Sequence, residues 1–319
     1  MTVAELGEHA LIARIRARLP AAPAFVVVGI GDDAAVLEPE RNALEVITTD
    51  SQVEGVHFDF AFCSAADVGH KALAVNLSDI AAMGASPRIA LLSLVLAPAW
   101  PAVHVDALVD SMAALAARAK VSIVGGNIAR SPGPLVVDLT VTGSVHRRRV
   151  LTRSGGRAGD DLYVTGSLGG AALGLQLLQA NHGDTSTAAE RYRRPEPRLR
   201  FGILLGRNRA ARACVDLSDG LGDGVRQIGE ASGVGAVIDA SAVPIERGAT
   251  LIDALSGGED YELLFAVSPK LRRRLDGVRR LTKDLAVTRI GRLTADRAFL
   301  LERDGRTEKL PRGFVHFGN

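Results

Sequence analysis

Aromatic rings, cysteines and net charge are all scarce in this chain. Only thirteen of its 319 residues are aromatic (9 Phe, 3 Tyr and 1 Trp), too few to predict the stacked-ring platform that binds single-stranded nucleic acids. The 38 Lys and Arg residues nearly balance the 36 Asp and Glu residues, and the resulting net charge of +2 favours neither nucleic acid nor an anionic membrane. Cys63 and Cys214 stand alone, without the Cys or His spacing of a zinc site. We therefore expect reduced, buried thiols and no nucleic-acid partner.

The sequence motifs of several common enzyme classes are also missing. None of the five lysines follows a glycine, so the chain has no P-loop. The zinc-protease motif HExxH, the kinase motifs HRD and DFG, and the hydrolase motif GxSxG do not occur. Any phosphate chemistry in this chain must therefore use another fold.

Long apolar runs are absent as well. The first twenty residues carry charges throughout and lack the apolar core of a signal peptide. The most apolar stretch, residues 89–103, contains Ser93 and two prolines and falls short of the roughly 20 residues that span a bilayer. We expect a cytoplasmic protein that makes no membrane contact.

The order of β-rich and helical segments predicts a mixed α/β (α+β) chain. Its 319 residues exceed the usual length of one domain, which favours two. Composition changes in the basic, Gly-rich stretch 147–159, after which a new series of strands and helices begins. We therefore place an N-terminal domain at residues 1–147 and a C-terminal domain at residues 148–319.

Some segments are expected to contribute packing or surface only. Residues 11–19 have apolar residues at helical spacing and are predicted to form a helix ended by Pro20. Residues 182–197 are predicted to be a polar loop, in which the run Arg191 to Arg194 is a solvated surface.

Small polar and acidic residues follow several predicted strands, which is where binding sites are commonly built. Asp50 follows a strand predicted at residues 44–49, Asn127 follows one at 121–124, and Asp216 follows one at 214–215. Convergence of these strand ends would gather oxygen ligands in one place.

The segment GIGDDA at residues 29–34 fits the dinucleotide pattern GxGxxA only superficially. That pattern places a pyrophosphate on bare N–H groups at a helix start, where two adjacent carboxylates would repel it. Paired aspartates suit a divalent cation between carboxylates and phosphates, and the alternative is a polar turn capped by Asp. Gathered aspartates would repel one another by roughly 4 kcal/mol per pair at 4 Å. Several Mg²⁺ ions holding a polyphosphate would relieve that repulsion.

Six motifs occur in a fixed order along the chain. They are GIGDDAA at 29–35, TTD at 48–50 with VEGVHF at 53–58, NLSDIAAMGA at 76–85, DLSDGL at 216–221, GGEDYEL at 257–263 and GFVHF at 313–317. Together they resemble the motifs of the thiamine-monophosphate kinase family, in the PurM-like (AIR synthetase-like) superfamily. The resemblance implies a two-domain PurM-like architecture whose N-terminal domain pairs in a homodimer and whose C-terminal domain is α/β.

The resemblance also implies a reaction and a set of residue roles. The reaction is the phosphorylation of thiamine monophosphate by ATP, the last step of thiamine diphosphate biosynthesis, by direct in-line transfer with several Mg²⁺ ions. The implied catalytic residues are Asp50, Asp79 and Arg153. The implied metal ligands are Asp32, Thr48, Thr49, Asp50, Asp79, Asn127, Asp216 and Asp219. The implied ATP contacts are Gly126, Asn127, Arg153 and Ser218. The implied contacts to thiamine monophosphate are His57, Glu259 and Phe314.

Two residues depart from the family pattern. Asn127 stands where many members have Asp, which keeps a carbonyl ligand but removes one negative charge. Phe314 stands where Trp or Tyr is common, so an aromatic face remains and weaker stacking is expected. His57 taken alone could equally be a packed or capping histidine, and only its motif favours a binding role.

Other functions remain open from the sequence. Another ATP-using PurM-like enzyme is one alternative: aminoimidazole ribonucleotide synthetase, selenophosphate synthetase or a hydrogenase-maturation dehydratase. Selenophosphate synthetase would require a reactive cysteine near the N-terminus and the dehydratase one at the C-terminus, whereas the cysteines here are Cys63 and Cys214. A sensor that binds Mg²⁺ and nucleotide without turnover is the non-enzyme alternative.

Overall fold

The computed structural model describes residues Met1 to Phe314 and divides into two compact units. One unit comprises residues 1–80 and 86–146, and the other comprises residues 81–85 and the chain from residue 147 onward. We call them the N-terminal unit and the C-terminal unit.

The N-terminal unit begins with two short helices and a β-ribbon and continues with long strands and helices. Its helices are α1 (Val3–Leu6), α2 (Glu8–Arg16), α3 (Ala65–Ala82, of which the last two residues belong to the C-terminal unit) and α4 (Ala102–Ala119). Its strands are β1 (Val26–Val28), β2 (Val36–Leu37), β3 (Leu44–Val53), β4 (Ser86–Leu96), β5 (Ser122–Arg130) and β6 (Val136–Val145).

Four of these strands form one sheet in the order β3-β6-β4-β5. Strand β6 is antiparallel to both of its neighbours, while β4 and β5 are parallel and are connected through α4. Side chains alternate along β6: Val137, Leu139 and Val141 are fully buried, and Asp138 and Thr140 between them are half-buried. One face of the sheet is therefore a hydrophobic core and the other carries polar groups.

Helix α3 covers the core face of this sheet and packs closely on α4. A β-carbon added at Gly143 of β6 would lie 3.2 Å from the side chain of Ile80 in α3. A β-carbon added at Gly69 of α3 would lie 2.0 Å from the carbonyl oxygen of Leu108 in α4, so only glycine permits this approach of the two helices. We call the sheet face under α3 the inner face and the opposite one the outer face.

The C-terminal unit is a series of strands and helices around a larger sheet. Its helices are α5 (Gly170–Ala180), α6 (Thr187–Arg193), α7 (Leu199–Arg207), α8 (Leu221–Ser232), α9 (Leu251–Ser256) and α10 (Arg272–Leu281), with short 3₁₀ turns at Ala240–Ala242 and Pro269–Leu271. Its strands are β7 (Asp161–Thr165), β8 (Ala213–Asp216), β9 (Gly235–Asp239), β10 (Leu263–Val267), β11 (Val287–Thr294), β12 (Phe299–Arg303) and β13 (Arg306–Lys309).

These strands form a mixed sheet in the order β13-β12-β9-β11-β7-β10-β8. Alternate residues of β10 enter two different cores, as strand geometry requires. Leu264 and Ala266 pack in one core with residues of α8 and α9, whereas Leu263, Phe265 and Val267 pack in another with residues of α7 and α10. The sheet therefore has helices on both faces, which explains why its central strands are apolar throughout.

Two predicted strand ends are wrong. Cross-strand pairing continues through Asp50, which pairs with Leu139, and through Asn127, which pairs with Ser93. Both residues lie inside strands because the ladder of β3 and β5 extends past the apolar run. Their side chains therefore point to one sheet face or the other and not out of a strand end.

The predicted helix at residues 11–19 and the predicted loop at 182–197 also differ from the structure. The helix spans Glu8–Arg16 and ends before Pro20. The loop contains α6, which begins after Ser186, whose hydroxyl accepts from the backbone N–H of Ala189 at 3.2 Å. A serine N-cap of this kind stabilises a short polar helix.

No helix in the part of the chain from residue 1 to residue 314 is both long enough and apolar enough to cross a membrane.

Candidate functional site

Three predicted metal ligands meet on the inner face of the N-terminal sheet. Thr48 and Asp50 are two residues apart in β3 and point the same way. The Thr48 hydroxyl donates to Oδ2 of Asp79 in α3, and the Asp79 carboxyl group lies beside that of Asp50. Burial, together with the neighbouring Asp79 charge, raises the pKa of Asp50 to about 7. We call these three residues the inner-face group, and their all-oxygen donor set fits Mg²⁺.

Thr49, the next residue of β3, presents its side chain on the outer face. Its hydroxyl donates to the carbonyl oxygen of Leu139 at 3.0 Å and to Oδ1 of Asp138 at 3.2 Å. Ser51 donates to Oδ2 of the same Asp138 at 3.0 Å. The structure thus separates the Thr49 side chain from the inner-face group, because successive residues of a strand face opposite ways.

Asn127 also lies on the outer face, in one cross-strand row with Ser93 and Asp138. A cavity of approximately 790 Å³ opens over this row, and its lining includes Asp32, Gly126 and Asn127. The rest of the lining is mostly apolar and comes from α2, the segment 29–37 and strands β4 to β6. Two predicted metal ligands, Asp32 and Asn127, and two predicted ATP contacts, Gly126 and again Asn127, therefore share a single cavity of the N-terminal unit.

The turn after β3 fixes the orientation of the His57 ring. Its Nδ1 accepts from the backbone N–H of Val53 at 3.1 Å, so a neutral ring carries its hydrogen on Nε2. The backbone carbonyl oxygen of His57 accepts a hydrogen bond from Nζ of Lys71 at 3.0 Å, and Lys71 is only 1% exposed. The turn therefore holds a half-buried imidazole in one orientation, with the hydrogen of the neutral ring on Nε2.

In the C-terminal unit, β8 leads directly into the segment 216–219, which contains three predicted site residues. Asp216 is the buried last residue of β8. The Ser218 hydroxyl donates to Oδ2 of Asp219 at 2.8 Å. Helix α8 begins two residues later, at Leu221, and a helix N-terminus favours negative charge beside it.

Glu259 lies in a loop that packs against this segment. Its backbone N–H donates to the carbonyl oxygen of Ser218 at 2.6 Å, and the N–H of Tyr261 donates to that of Leu217 at 3.0 Å. Glu259 and Tyr261 both have positive φ, 59° and 49°, a conformation that non-glycine residues seldom adopt. We call residues 258–261 the Glu259 loop.

Asp260, inside that loop, accepts hydrogen bonds from the start of α5. The backbone N–H of Gly169 donates to its Oδ2 at 2.6 Å and that of Ala171 to its Oδ1 at 3.1 Å. Burial raises the pKa of Asp260 to about 6, although these two hydrogen bonds act in the opposite direction. The loop is thus attached at its centre to a second element of the unit.

Phe314 joins the same group of residues. Its backbone N–H donates to the carbonyl oxygen of Asp219 at 2.9 Å, and its ring is 53% exposed. The structure therefore brings Ser218, Asp219, Glu259 and Phe314 together. The remainder of the last motif, Val315, His316 and Phe317, lies outside the described residues.

Arg153 and Asp219 both lie close enough to Asp223, a carboxylate that is not among the predicted site residues, to influence its pKa. Burial and the charge of Asp219 raise the pKa of Asp223, and the nearby Arg153 charge partly offsets the increase. Asp223 and Asp138 were both missed. In the sequence, Asp223 is a single carboxylate in the first turn of a helix, and Asp138 is a single carboxylate on the polar side of a strand. Both patterns are common on ordinary protein surfaces.

The carboxylates of the described chain occur in small sets. Within residues 1–314, no three His, Cys, Asp or Glu side chains form a metal-binding group. The inner-face group and the segment 216–219 each offer two aspartates and a hydroxyl. Such sets suit Mg²⁺, which usually takes one or two carboxylates and completes its shell with water and phosphate oxygens.

Two other groups of residues have structural roles. Cys63 and Cys214 are buried free thiols, and burial raises the pKa of Cys214, which disfavours a reactive thiolate. Arg191 is not part of a solvated surface: its side chain is 22% exposed and lies 2.6 Å from Glu246 and 3.3 Å from Glu262. The expectation of a solvated surface is wrong for Arg191 because its ion-pair partners are distant in sequence.

Comparison with known proteins identifies the family of the chain. Residues 31–145 match the family model of the AIR synthase related protein, N-terminal domain, and residues 157–302 match that of the C-terminal domain. The chain is 40% identical over 327 aligned positions to the thiamine-monophosphate kinase of Salmonella typhimurium, an alignment that covers 98% of each chain.

The fold also matches those of solved structures. Thiamine-monophosphate kinase from Stenotrophomonas maltophilia K279a matches with a TM-score of 0.82 and 38% identity, over 92% of this chain and 96% of that one. AaThiL complexed with AMPPCP and TMP matches with a TM-score of 0.77 and 30% identity, over 99% of both chains. The expected mixed α/β, PurM-like (AIR synthetase-like) fold is confirmed, and the chain belongs to the thiamine-monophosphate kinase family.

Proposed function

We propose that the chain transfers the γ-phosphoryl group of ATP to thiamine monophosphate, giving thiamine diphosphate and ADP. The observation that carries this proposal is the cluster in the C-terminal unit, where Glu259 and Phe314 are each hydrogen-bonded to the segment that contains Ser218 and Asp219. The AaThiL complex with AMPPCP and TMP supports it, because AMPPCP is an ATP analogue that cannot transfer its terminal phosphoryl group.

The acceptor in this reaction requires no general base. A phosphate monoester has its second pKa near 6 and is largely ionised at neutral pH. One of its oxygens forms the new bond to the γ-phosphorus of ATP while the bond from that phosphorus to the β-bridging oxygen breaks, and ADP leaves. The barrier lies in bringing two anions into line. The chain must therefore position both substrates and offset their charge.

Named residues fit these two tasks. We assign Gly126, Asn127, Arg153 and Ser218 to ATP, with the Arg153 guanidinium offsetting charge on the transferring group. Magnesium ions, when bound, would neutralise the negative charge of the phosphate groups. The residues that would hold them are Asp32, Thr48, Thr49, Asp50, Asp79, Asn127, Asp216 and Asp219.

The thiazolium ring of the substrate is cationic and suits an aromatic face beside a carboxylate. The exposed ring of Phe314 and the half-buried Glu259 supply these two groups. We assign His57 to the same substrate, because the hydrogen bond from Val53 holds its ring in one orientation.

We further propose that the N-terminal unit pairs with a second copy of the chain. Ile47 is 67% exposed and Leu91 is 38% exposed. Both lie on the outer face of the N-terminal sheet, where apolar surface favours association. Analytical ultracentrifugation should give a dimer for the wild type and a monomer for Ile47→Asp, and a monomeric wild type would contradict the pairing.

The test of the activity is direct. Purified protein incubated with ATP, Mg²⁺ and thiamine monophosphate should form thiamine diphosphate and ADP in equal amounts, measured by chromatography. Omission of thiamine monophosphate is the control for ATP hydrolysis. Folded protein that binds ATP but forms no thiamine diphosphate would contradict the proposal and favour a nucleotide sensor.

A further inference from the structure

Glu262 is the most completely enclosed carboxylate near the Glu259 loop. Its side chain has no exposed surface, and three residues donate hydrogen bonds to it. Arg198 donates through Nε to Oε2 at 2.7 Å and through its terminal nitrogen to Oε1. The Thr165 hydroxyl donates to Oε2 at 2.6 Å, and Arg191 donates to Oε1 at 3.3 Å. A buried carboxylate with this many donors is held in one position.

The two arginines bring other elements of the unit to the same carboxylate. Arg191 belongs to α6 and also donates to Oε2 of Glu246 and to the hydroxyl of Ser167. Arg198 immediately precedes α7. Two guanidinium groups face the carboxylates of Glu246 and Glu262, and Asp260 and Glu196 add further negative charge nearby. The position of this cluster is therefore determined by α6, the start of α7 and the end of β7.

The backbone at Gly166 packs closely against the Glu262 carboxylate. A β-carbon added at Gly166 would lie 2.0 Å from Oε1 of Glu262, and Gly166 has φ of +61°. The Thr165 hydroxyl that donates to Glu262 also accepts from the N–H of Leu263 at 2.8 Å. Both the side chain and the following peptide of Glu262 are thus tied to the end of β7.

The Glu259 loop lies between two such attachments. Asp260 is held by the start of α5, and Glu262 is held by the arginines. Glu259 and Tyr261 adopt left-handed backbone conformations beside them. A strained backbone conformation persists only where surrounding contacts hold it in place. On the C-terminal side of the loop, the charged contacts of Glu262 provide that support.

We infer that Glu262, fixed by Arg198 and Arg191, is a positioning residue that holds the Glu259 loop in the conformation in which Glu259 receives the substrate cation. This inference rests on the proposed function, in which Glu259 binds thiamine monophosphate. Glu262 itself is fully enclosed and touches no substrate. Its effect is therefore expected on the binding of thiamine monophosphate and not on the binding of ATP.

The test compares two buried carboxylates, Glu262 immediately before β10 and Asp161 at the start of β7. Glu262→Gln keeps the side-chain shape and removes the charge, and it should raise KM for thiamine monophosphate at least 10-fold while kcat and KM for ATP change less than 3-fold. Asp161→Asn is the matched control. Asp161 is 5% exposed and also pairs with two arginines, Arg272 and Arg289, each at 2.6 Å, but it lies at the far end of β7. This control should leave both KM values unchanged.

Two gentler changes keep the inference testable if Glu262→Gln does not fold. Thr165→Val removes one donor to Glu262 without a change in shape and should raise KM for thiamine monophosphate about 3-fold. Arg198→Lys should retain part of the affinity that Arg198→Met loses, because an ammonium can still pair with Glu262 but cannot form the two-nitrogen contact. Equal increases in both KM values, or no increase in any variant, would overturn the inference.

A readout without catalysis separates this inference from the proposed function. The amides of Glu259 and Tyr261 donate to Ser218 and Leu217, so they should exchange with deuterium at least 10-fold faster in Glu262→Gln than in the wild type or in Asp161→Asn. Unchanged exchange would overturn the inference even if the enzyme is active. Faster exchange in Glu262→Gln, found together with a folded wild-type protein that forms no thiamine diphosphate, would support the positioning of the loop and reject only the proposed substrate.

Discussion

The backbone N–H of Glu259 donates to the carbonyl oxygen of Ser218 at 2.6 Å. This hydrogen bond joins the residue assigned to the substrate cation to the residue assigned to ATP, within one unit. Phe314 is joined to the same segment through the carbonyl oxygen of Asp219. The segment 216–219 therefore serves as a common support, and a displacement of it moves both proposed substrate contacts at once.

The inner-face group gives the first prediction. Asp79→Asn removes a charge that raises the pKa of Asp50, and it removes one carboxylate from the donor set for Mg²⁺. We expect kcat to fall about 100-fold or more, since electrostatic groups at a phosphoryl-transfer site have effects of that size. The pKa of Asp50, followed by NMR of its carboxyl carbon in the absence of metal, should fall below about 7.

The control for this variant is Asp110→Asn. Asp110 is 58% exposed and pairs with Arg18 at 3.2 Å, so its loss should alter neither kcat nor the pKa of Asp50. Near-normal turnover in Asp79→Asn would contradict the role assigned to the inner-face group.

The sequence predicted the elements that have strong local signals. The alternating pattern at residues 135–145 and the apolar run at 161–165 correspond to β6 and β7. The position of Asp50 was misjudged because the polar residues of β3 resemble the end of a strand, and only pairing with Leu139 and its neighbours shows that the strand continues. Pairing between strands distant in the chain has no local signature.

The burial of Arg191 could not be predicted for a related reason. Its carboxylate partners, Glu246 and Glu262, are 55 and 71 positions away in sequence. An arginine run is usually a solvated surface, and only the tertiary fold distinguishes Arg191 from its neighbours. The split of Thr48 and Thr49 between two sheet faces, in contrast, follows from strand periodicity once β3 is known to include them.

Gly166 gives the second prediction. Gly166→Ala places a β-carbon 2.0 Å from Glu262 and adds a side chain at φ +61°. We expect the free energy of unfolding to fall by about 2–4 kcal/mol, measured by urea denaturation. Gly233→Ala is the matched control, because Gly233 has φ of +70° with no atom within 4 Å of the added carbon. It should lose only about 1 kcal/mol, the cost of the backbone conformation, and equal losses in the two variants would show that the contact with Glu262 is unimportant.

Asp260 gives a prediction about pH. Its pKa in the folded chain is about 6, above the usual aspartate pKa of 3.8, so the folded state binds this proton more tightly than the unfolded state. The contribution of Asp260 to the free energy of unfolding is therefore greatest below about pH 4. It falls by about 3 kcal/mol in total as the pH rises through 6. Urea denaturation at several pH values should show that Asp260→Asn removes this decline.

Asp106→Asn is the control, because it should change the pH dependence of the free energy of unfolding in the opposite direction. The hydrogen bond from Arg14 lowers the pKa of Asp106, so its contribution to stability is present above the unfolded pKa and is lost as the pH falls. The two variants should therefore change the pH profile in opposite directions. A wild-type profile that is unchanged by Asp260→Asn would contradict the raised pKa of Asp260.

The last prediction concerns Asn127, which shares an outer-face row with Ser93 and Asp138 and lines the cavity that also contains Asp32. Asn127→Asp adds a carboxylate to this row, and a divalent cation there would gain a charged ligand. We expect the Mg²⁺ concentration that gives half-maximal activity to fall about 3-fold or more, measured at fixed ATP and thiamine monophosphate. Ser131→Asp, at a surface turn after β5 and outside the cavity lining, adds the same charge and should leave the titration unchanged. Identical titrations for the wild type and Asn127→Asp would place Asn127 away from any metal, and the cavity would then contribute only to ATP binding.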